Sequence, residues 1–137
     1  MAKIESLIPF LIFWETGISD PAASSESLFI RARKKRVVCD PADTGGATLA
    51  GVTIGTYRDY CRRKGRKVPL SADLGRLGYD EWLDIVKTMF WDRWRADEIR
   101  SQRVAHLLVD WVWTSGSYGI TIPQRLLGVT PDGIVGP

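Results

Sequence analysis

The sequence predicts a mainly α-helical domain with a long irregular loop or hairpin after its first helix. Two observations carry that expectation: apolar residues recur at helical spacing in several stretches, and residues 18–38, which follow the first of them, show no such period. A third bounds the size. A chain of 137 residues with 45% hydrophobic residues and six tryptophans suits one folded domain with a modest core.

The first stripe consists of Ile4, Leu7, Ile8, Leu11 and Ile12, one face of a helix, with Glu15 at the next position on it. This spacing aims the Glu15 carboxylate at the core side. Pro9 is tolerated if the helix begins near Ser6, and Gly17 is a plausible stop just past its end. The apolar run 7–14 after Lys3 could pass for a signal-peptide core, but Pro9 and Glu15 interrupt it and no small-residue cleavage site follows. It reads as a helix of the mature protein. No other stretch approaches the roughly 20 apolar residues a membrane span needs, so a soluble protein without stable membrane insertion is expected.

Residues 18–38 are Ser/Ala-rich, then basic, ending in Arg31, Arg33, Lys34, Lys35 and Arg36, and are expected to form the loop or hairpin. Residues 40–48 hold Asp40, Pro41, Asp43, Gly45, Gly46 and Thr48, a density of turn formers that predicts a structured turn. Thr53 can cap a second helix to about Arg63, which Gly65 and Pro69 then break. A third has Asp80 and Glu81 at its N-terminus, the stripe Trp82, Ile85, Val86, Met89 and Phe90, and an end near Trp94. Val104, Leu107, Leu108 and Trp111 predict a fourth, started at Asp97 or Ser101 and stopped near Gly116. A shorter one covers residues 120–127, with Pro123 early in it. The segment 131–137 is turn material.

Composition excludes some chemistry. Cys39 and Cys61 lie far apart in no metal or disulfide pattern, and His106 is the only histidine, so a His-rich zinc site cannot be assembled and no metal or organic cofactor is expected. The net charge of +3 is too small to select a partner. Glu15 is the most suggestive ionisable residue. On an apolar face at a helix C-terminus, both desolvation and the negative end of the helix dipole would disfavour its charge, the setting of a proton donor. A structural carboxylate turned outward explains the same pattern.

The motifs narrow the choice. Trp14-Glu15-Thr16-Gly17, then the run Asp40-Pro41-Ala42-Asp43-Thr44-Gly45-Gly46-Ala47-Thr48, then Gly51-Val52-Thr53, resemble the EGGY, DPxDxGGxT and GxT signature of glycoside hydrolase family 108. Phe90-Trp91-Asp92 resembles that family's YWD segment. Asp110 to Pro137 resembles the small peptidoglycan-binding segment such enzymes carry, here ending early. The resemblance implies a lysozyme-like helical fold, with a muramidase part over residues 1–96 and a peptidoglycan-binding segment over 97–137 packed as one unit. It implies an N-acetylmuramidase cleaving the β-1,4 bond between N-acetylmuramic acid and N-acetylglucosamine, with peptidoglycan glycan strands as partner and Glu15 as catalytic acid. A lytic transglycosylase, or a non-catalytic wall-binding or secretion-accessory protein, are the alternatives. Cytoplasmic synthesis without a signal peptide, with a holin or export system giving access to the periplasmic wall, is the expected route.

The chain departs from the signature at Thr16 and Ile18, and by an added stretch between Glu15 and Asp40. Both Asp20-Pro21 and Asp40-Pro41 echo the family's Asp-Pro, and only Asp40 leads into the glycine turn, so Asp40 is the candidate second catalytic residue with Asp43 behind it. Thr48 can hold a water or sugar hydroxyl. Trp14, Trp113 and Tyr118 are candidate sugar-stacking residues, Trp113 because it lies off the predicted stripe. The basic run reads as a solvated loop, or as attraction to anionic wall polymers; nucleic-acid binding is not expected.

Overall fold

The computed structural model describes residues 1–35 and 46–137, so Asp40, Asp43 and Cys39 lie outside the described residues. The chain is mainly helical, as expected, and forms two compact units: residues 8–86, and residues 1–7 with 87–137. This division at 86/87 differs from the functional boundary at 96/97 drawn from the sequence.

In the first unit, α1 (Ile8–Thr16) carries Pro9 in its first turn, where no helical N–H is lost. It ends at Gly17, whose φ of +74° is the left-handed turn a glycine adopts without strain and whose N–H donates to the Phe13 carbonyl at 2.7 Å. Ile8, Leu11 and Ile12 are buried as the stripe predicts. Glu15, on the same azimuth, is exposed, which corrects the expected core-side burial. The core cover stops at Ile12, and an ionisable group beyond it keeps its hydration.

The second correction is α2 (Ser25–Ala32), a helix where the sequence predicts a loop or hairpin. Ser24 caps it, its hydroxyl accepting the Ser27 N–H at 3.1 Å, with Glu26 in the first turn and Arg31 in the last. Leu28, Phe29 and Ala32 are its buried face. Phe29 packs 5.2 Å from the Trp82 ring and 5.7 Å from Tyr79, and the Arg33 guanidinium stands 6.0 Å over it. Three apolar contacts in a two-turn helix are too few to register as a period.

Thr48–Leu49 (β1) and Val52–Thr53 (β2) pair antiparallel, Thr48 opposite Thr53 and Leu49 opposite Val52. The two-residue turn between them has φ +46° at Ala50 and +82° at Gly51, the twist a tight hairpin prefers. The strained Ala50 is held in place: its carbonyl accepts the indole N–H of buried Trp82 at 3.3 Å. Thr53 then caps α3 (Ile54–Arg63), accepting the Thr56 N–H at 3.1 Å, as predicted. A 3₁₀ segment (Ser71–Arg76) leads to α4 (Tyr79–Val86), which starts with Asp80 and Glu81 and buries Trp82, Ile85 and Val86.

In the second unit, the backbone continues from α4 as a π-helical stretch (Lys87–Trp91) and a 3₁₀ turn (Asp92–Trp94), giving the predicted end. Trp91 is fully buried, its indole donating to Asp97 at 2.8 Å, while Lys87 bridges Asp92 and Asp97. The N-terminal segment is pinned alongside: Ala2 N–H to Ile99 O at 2.8 Å, and the Gln102 amide exchanging bonds with the Lys3 backbone at 2.7 and 2.9 Å.

Helix α5 (Gln102–Ser115), capped by Ser101, buries Ala105, Val109 and Val112. Val104 and Leu107 are 45% and 62% exposed and Trp111 is half-buried, so the predicted stripe is rotated by about one position. The reason is α6 (Tyr118–Leu126), which crosses so closely that a Cβ on Gly119 would lie 2.4 Å from the Val112 nitrogen. The packed face is therefore chosen by backbone approach at residues 111–112, not by the bulkiest side chains. After Gly128, the buried Gln124 closes the last turn: its amide donates to Asp132 Oδ1 at 3.1 Å and to the Ile134 carbonyl at 2.9 Å, and its carbonyl accepts the Gly133 N–H at 2.9 Å.

Candidate active site at the end of the first helix

The residues around Glu15 are set by how α1 stops. Thr16 Oγ1 donates back to the Ile12 carbonyl at 2.6 Å and accepts the Ile18 N–H at 3.4 Å, tightening the last turn. The Lys35 ammonium donates to the Thr16 carbonyl at 3.0 Å, placing a cation at the negative end of the helix one residue from Glu15. Glu15 thus sits on a fixed helix end, on the azimuth of the buried stripe yet open to solvent. That geometry suits a carboxyl group meeting a ligand from outside.

Trp14 is 70% exposed and packs edge-on against Phe10 at 6.3 Å and Phe13 at 5.3 Å. This aromatic ledge on the outer side of α1 was not singled out in the sequence beyond Trp14. Its signal was present, because residues 10, 13 and 14 form a second apolar stripe at i, i+3, i+4.

Asp20 is a turn residue. One oxygen accepts the Ala22 N–H at 3.0 Å and the other pairs with Arg31 at 3.0 Å; the backbone bond first, then Arg31, hold its carboxyl below the ordinary value. Of the two Asp-Pro pairs, the first is therefore occupied with local structure. Thr48 is half-buried on β1, opposite the capping residue Thr53. Two residues before it Gly46 has φ +73°, a conformation glycine adopts without strain, and a Cβ there would stand 3.3 Å from Ile54 Cγ2, a tight contact.

Glu15, Trp14 and Thr48 belong to the unit 8–86, whereas Trp113 and Tyr118 belong to the other. Trp113 is half-buried against Phe90 at 4.7 Å, and Tyr118 is 66% exposed at the start of α6. Burial holds His106 below its ordinary pKa. Among the described residues no group of three or more His, Cys, Asp or Glu is placed to hold a metal ion, and no helix is long and apolar enough to cross a membrane.

The sequence profile of the Glycosyl hydrolase 108 family matches residues 29–116, and the chain belongs to that family of glycoside hydrolases. Its fold is similar to the solved structure of Brucella abortus SagA, at 25% sequence identity and a TM-score of 0.64, over 81% of this chain and 63% of that one. The chain thus spans less than two thirds of SagA. No curated protein matches the sequence. The family match begins at residue 29, after Glu15, and ends at residue 116, just past α5.

Proposed function

We propose that the protein is an N-acetylmuramidase that hydrolyses the β-1,4 bond between N-acetylmuramic acid and N-acetylglucosamine in peptidoglycan. The observation that carries this reading is the position of Glu15, accessible on a rigid helix end and followed in sequence by the Asp40-to-Thr48 motif of the family. In this mechanism Glu15 protonates the glycosidic oxygen as the bond to the sugar breaks. Asp40, or Asp43 behind it, orients the attacking water, and Thr48 supports a water or hydroxyl. Trp14 offers a ring face to a sugar on the same helix end. The separation of the two carboxyl groups sets inverting or retaining stereochemistry. A holin or an export system would bring the protein to the wall.

A second reading, a wall-binding protein that does not hydrolyse, is favoured by one observation: the family match leaves Glu15 outside it. The test separates them. Purified peptidoglycan is treated with wild type and Glu15→Gln, reducing ends are counted, and products are weighed. Muramidase activity predicts reducing muramic ends from the wild type and a loss of about 10²- to 10⁴-fold in the folded variant, the worth of a general acid. Anhydro-muramic ends would make it a lytic transglycosylase; wall binding without new ends from either protein would refute catalysis.

A further inference from the structure

A cleft of about 500 Å³ opens in the unit 8–86 between the end of α3 and the 3₁₀ segment Ser71–Arg76. It is lined by Tyr57, Asp73, Glu81, Arg76 and the strand of chain from Lys67 to Leu70. Its walls are built, not incidental. Arg58 Nε donates to the Pro69 carbonyl at 3.1 Å, the Leu70 N–H donates to Asp73 at 2.8 Å, and Arg33 reaches the Gly75 carbonyl at 2.9 Å. A cleft fixed in this way loses little entropy on binding.

Its charges are unequally matched. Glu81 accepts from the Tyr57 hydroxyl at 3.3 Å and from Arg66 at 3.0 Å, and Asp73 pairs with Arg76 at 3.5 Å. Lys67 has no ion partner among the described residues, and with Arg66, which pairs with Glu81 from outside the lining, three cations stand against two carboxylates, one cation in excess. Beside it, Val68 and Leu70 are 40% and 71% exposed, a small aliphatic wall. The one aromatic residue in the lining, Tyr57, is buried, so no ring face is presented to a base or a sugar. A surplus cation, two paired carboxylates and a methyl-sized apolar strip match a short peptide bearing a free carboxylate and alanine-like side chains.

We propose that this cleft takes the peptide stem of the wall polymer, seating a stem carboxylate on Lys67 and its methyl groups against Val68 and Leu70. The inference rests on the peptidoglycan reading above, but its readout does not pass through Glu15. The experiment titrates a synthetic alanyl-γ-glutamyl-lysine tripeptide into the whole protein by calorimetry, for wild type, Lys67→Glu and Lys67→Gln, and repeats it with the peptide's carboxylates amidated. The expected result is saturable binding to the wild type, weakened about ten-fold by either substitution or by amidation, the worth of one charge-assisted contact. Lys67 is exposed, and unchanged melting curves would confirm that the variants fold. No binding by the wild type, or equal binding by Lys67→Glu, overturns the proposal and leaves the hydrolase reading to the Glu15→Gln assay.

Discussion

Replacing Phe29 by alanine tests whether α2 is part of the core or a surface appendage. Phe29 is fully buried and lies 5.2 Å from Trp82 and 5.7 Å from Tyr79, so truncation empties a ring-sized space that two large aromatic neighbours cannot close by small shifts. Buried Phe→Ala changes cost about 3–5 kcal/mol, against a total stability of about 5–15 kcal/mol for a domain. Phe29→Leu keeps most of the volume and should cost less than about 1.5 kcal/mol. Urea denaturation followed by tryptophan fluorescence and by far-UV circular dichroism measures both. A loss below about 1 kcal/mol in Phe29→Ala would refute the reasoning, since substitutions on a solvated loop stay within about 0.5 kcal/mol.

Three further outcomes follow from the structure. Gly119→Ala should lower the stability of the second unit by about 3 kcal/mol or more, because its Cβ would stand 2.4–2.5 Å from backbone atoms of residues 111 and 112 that cannot swing aside; calorimetry reads it as a lower melting temperature. Gln124→Leu should release the 132–134 turn, seen as faster amide exchange at Gly133 and Ile134, whose N–H groups are held by Gln124 and Asp132. Acid should weaken the first unit through Asp84, whose carboxyl the Tyr60 hydroxyl first, and then Lys64, hold below the ordinary 3.8. A depressed folded-state value adds stability above the ordinary value that fades as pH falls through the depressed one, so stability should drop as pH falls through and below 3.8, and Asp84→Asn should flatten that slope.

Helices with a long stripe or a strong cap were legible in the sequence. Ile4 to Ile12 gave α1, Thr53 gave the start of α3, and Trp82 to Val86 with Asp80 and Glu81 gave α4, since each rests on local patterning that tertiary packing reinforces. Local pattern failed where packing chose against it. Helix α2 buries too few residues to show a period, and α5 turned its bulkier Val104 and Leu107 outward because Gly119 lets α6 meet its backbone. At the candidate site, position along the helix singles out Glu15 and Trp14, but the exposure of Glu15 depends on where the core ends, which periodicity alone does not encode. The Lys67 cleft was invisible for a related reason: its walls are tied by bonds from side chains to backbone carbonyls, one of them from Arg33, distant in sequence.

The excursion after α1 leaves at Gly17 and returns to its point of departure, where Lys35 holds the Thr16 carbonyl. A detour that closes on itself leaves the segments that flank it side by side. This one places Leu28 and Phe29 in the interior, with the Phe29 ring against Trp82. A deletion of this excursion would therefore uncover the tryptophan that steadies the hairpin at Ala50.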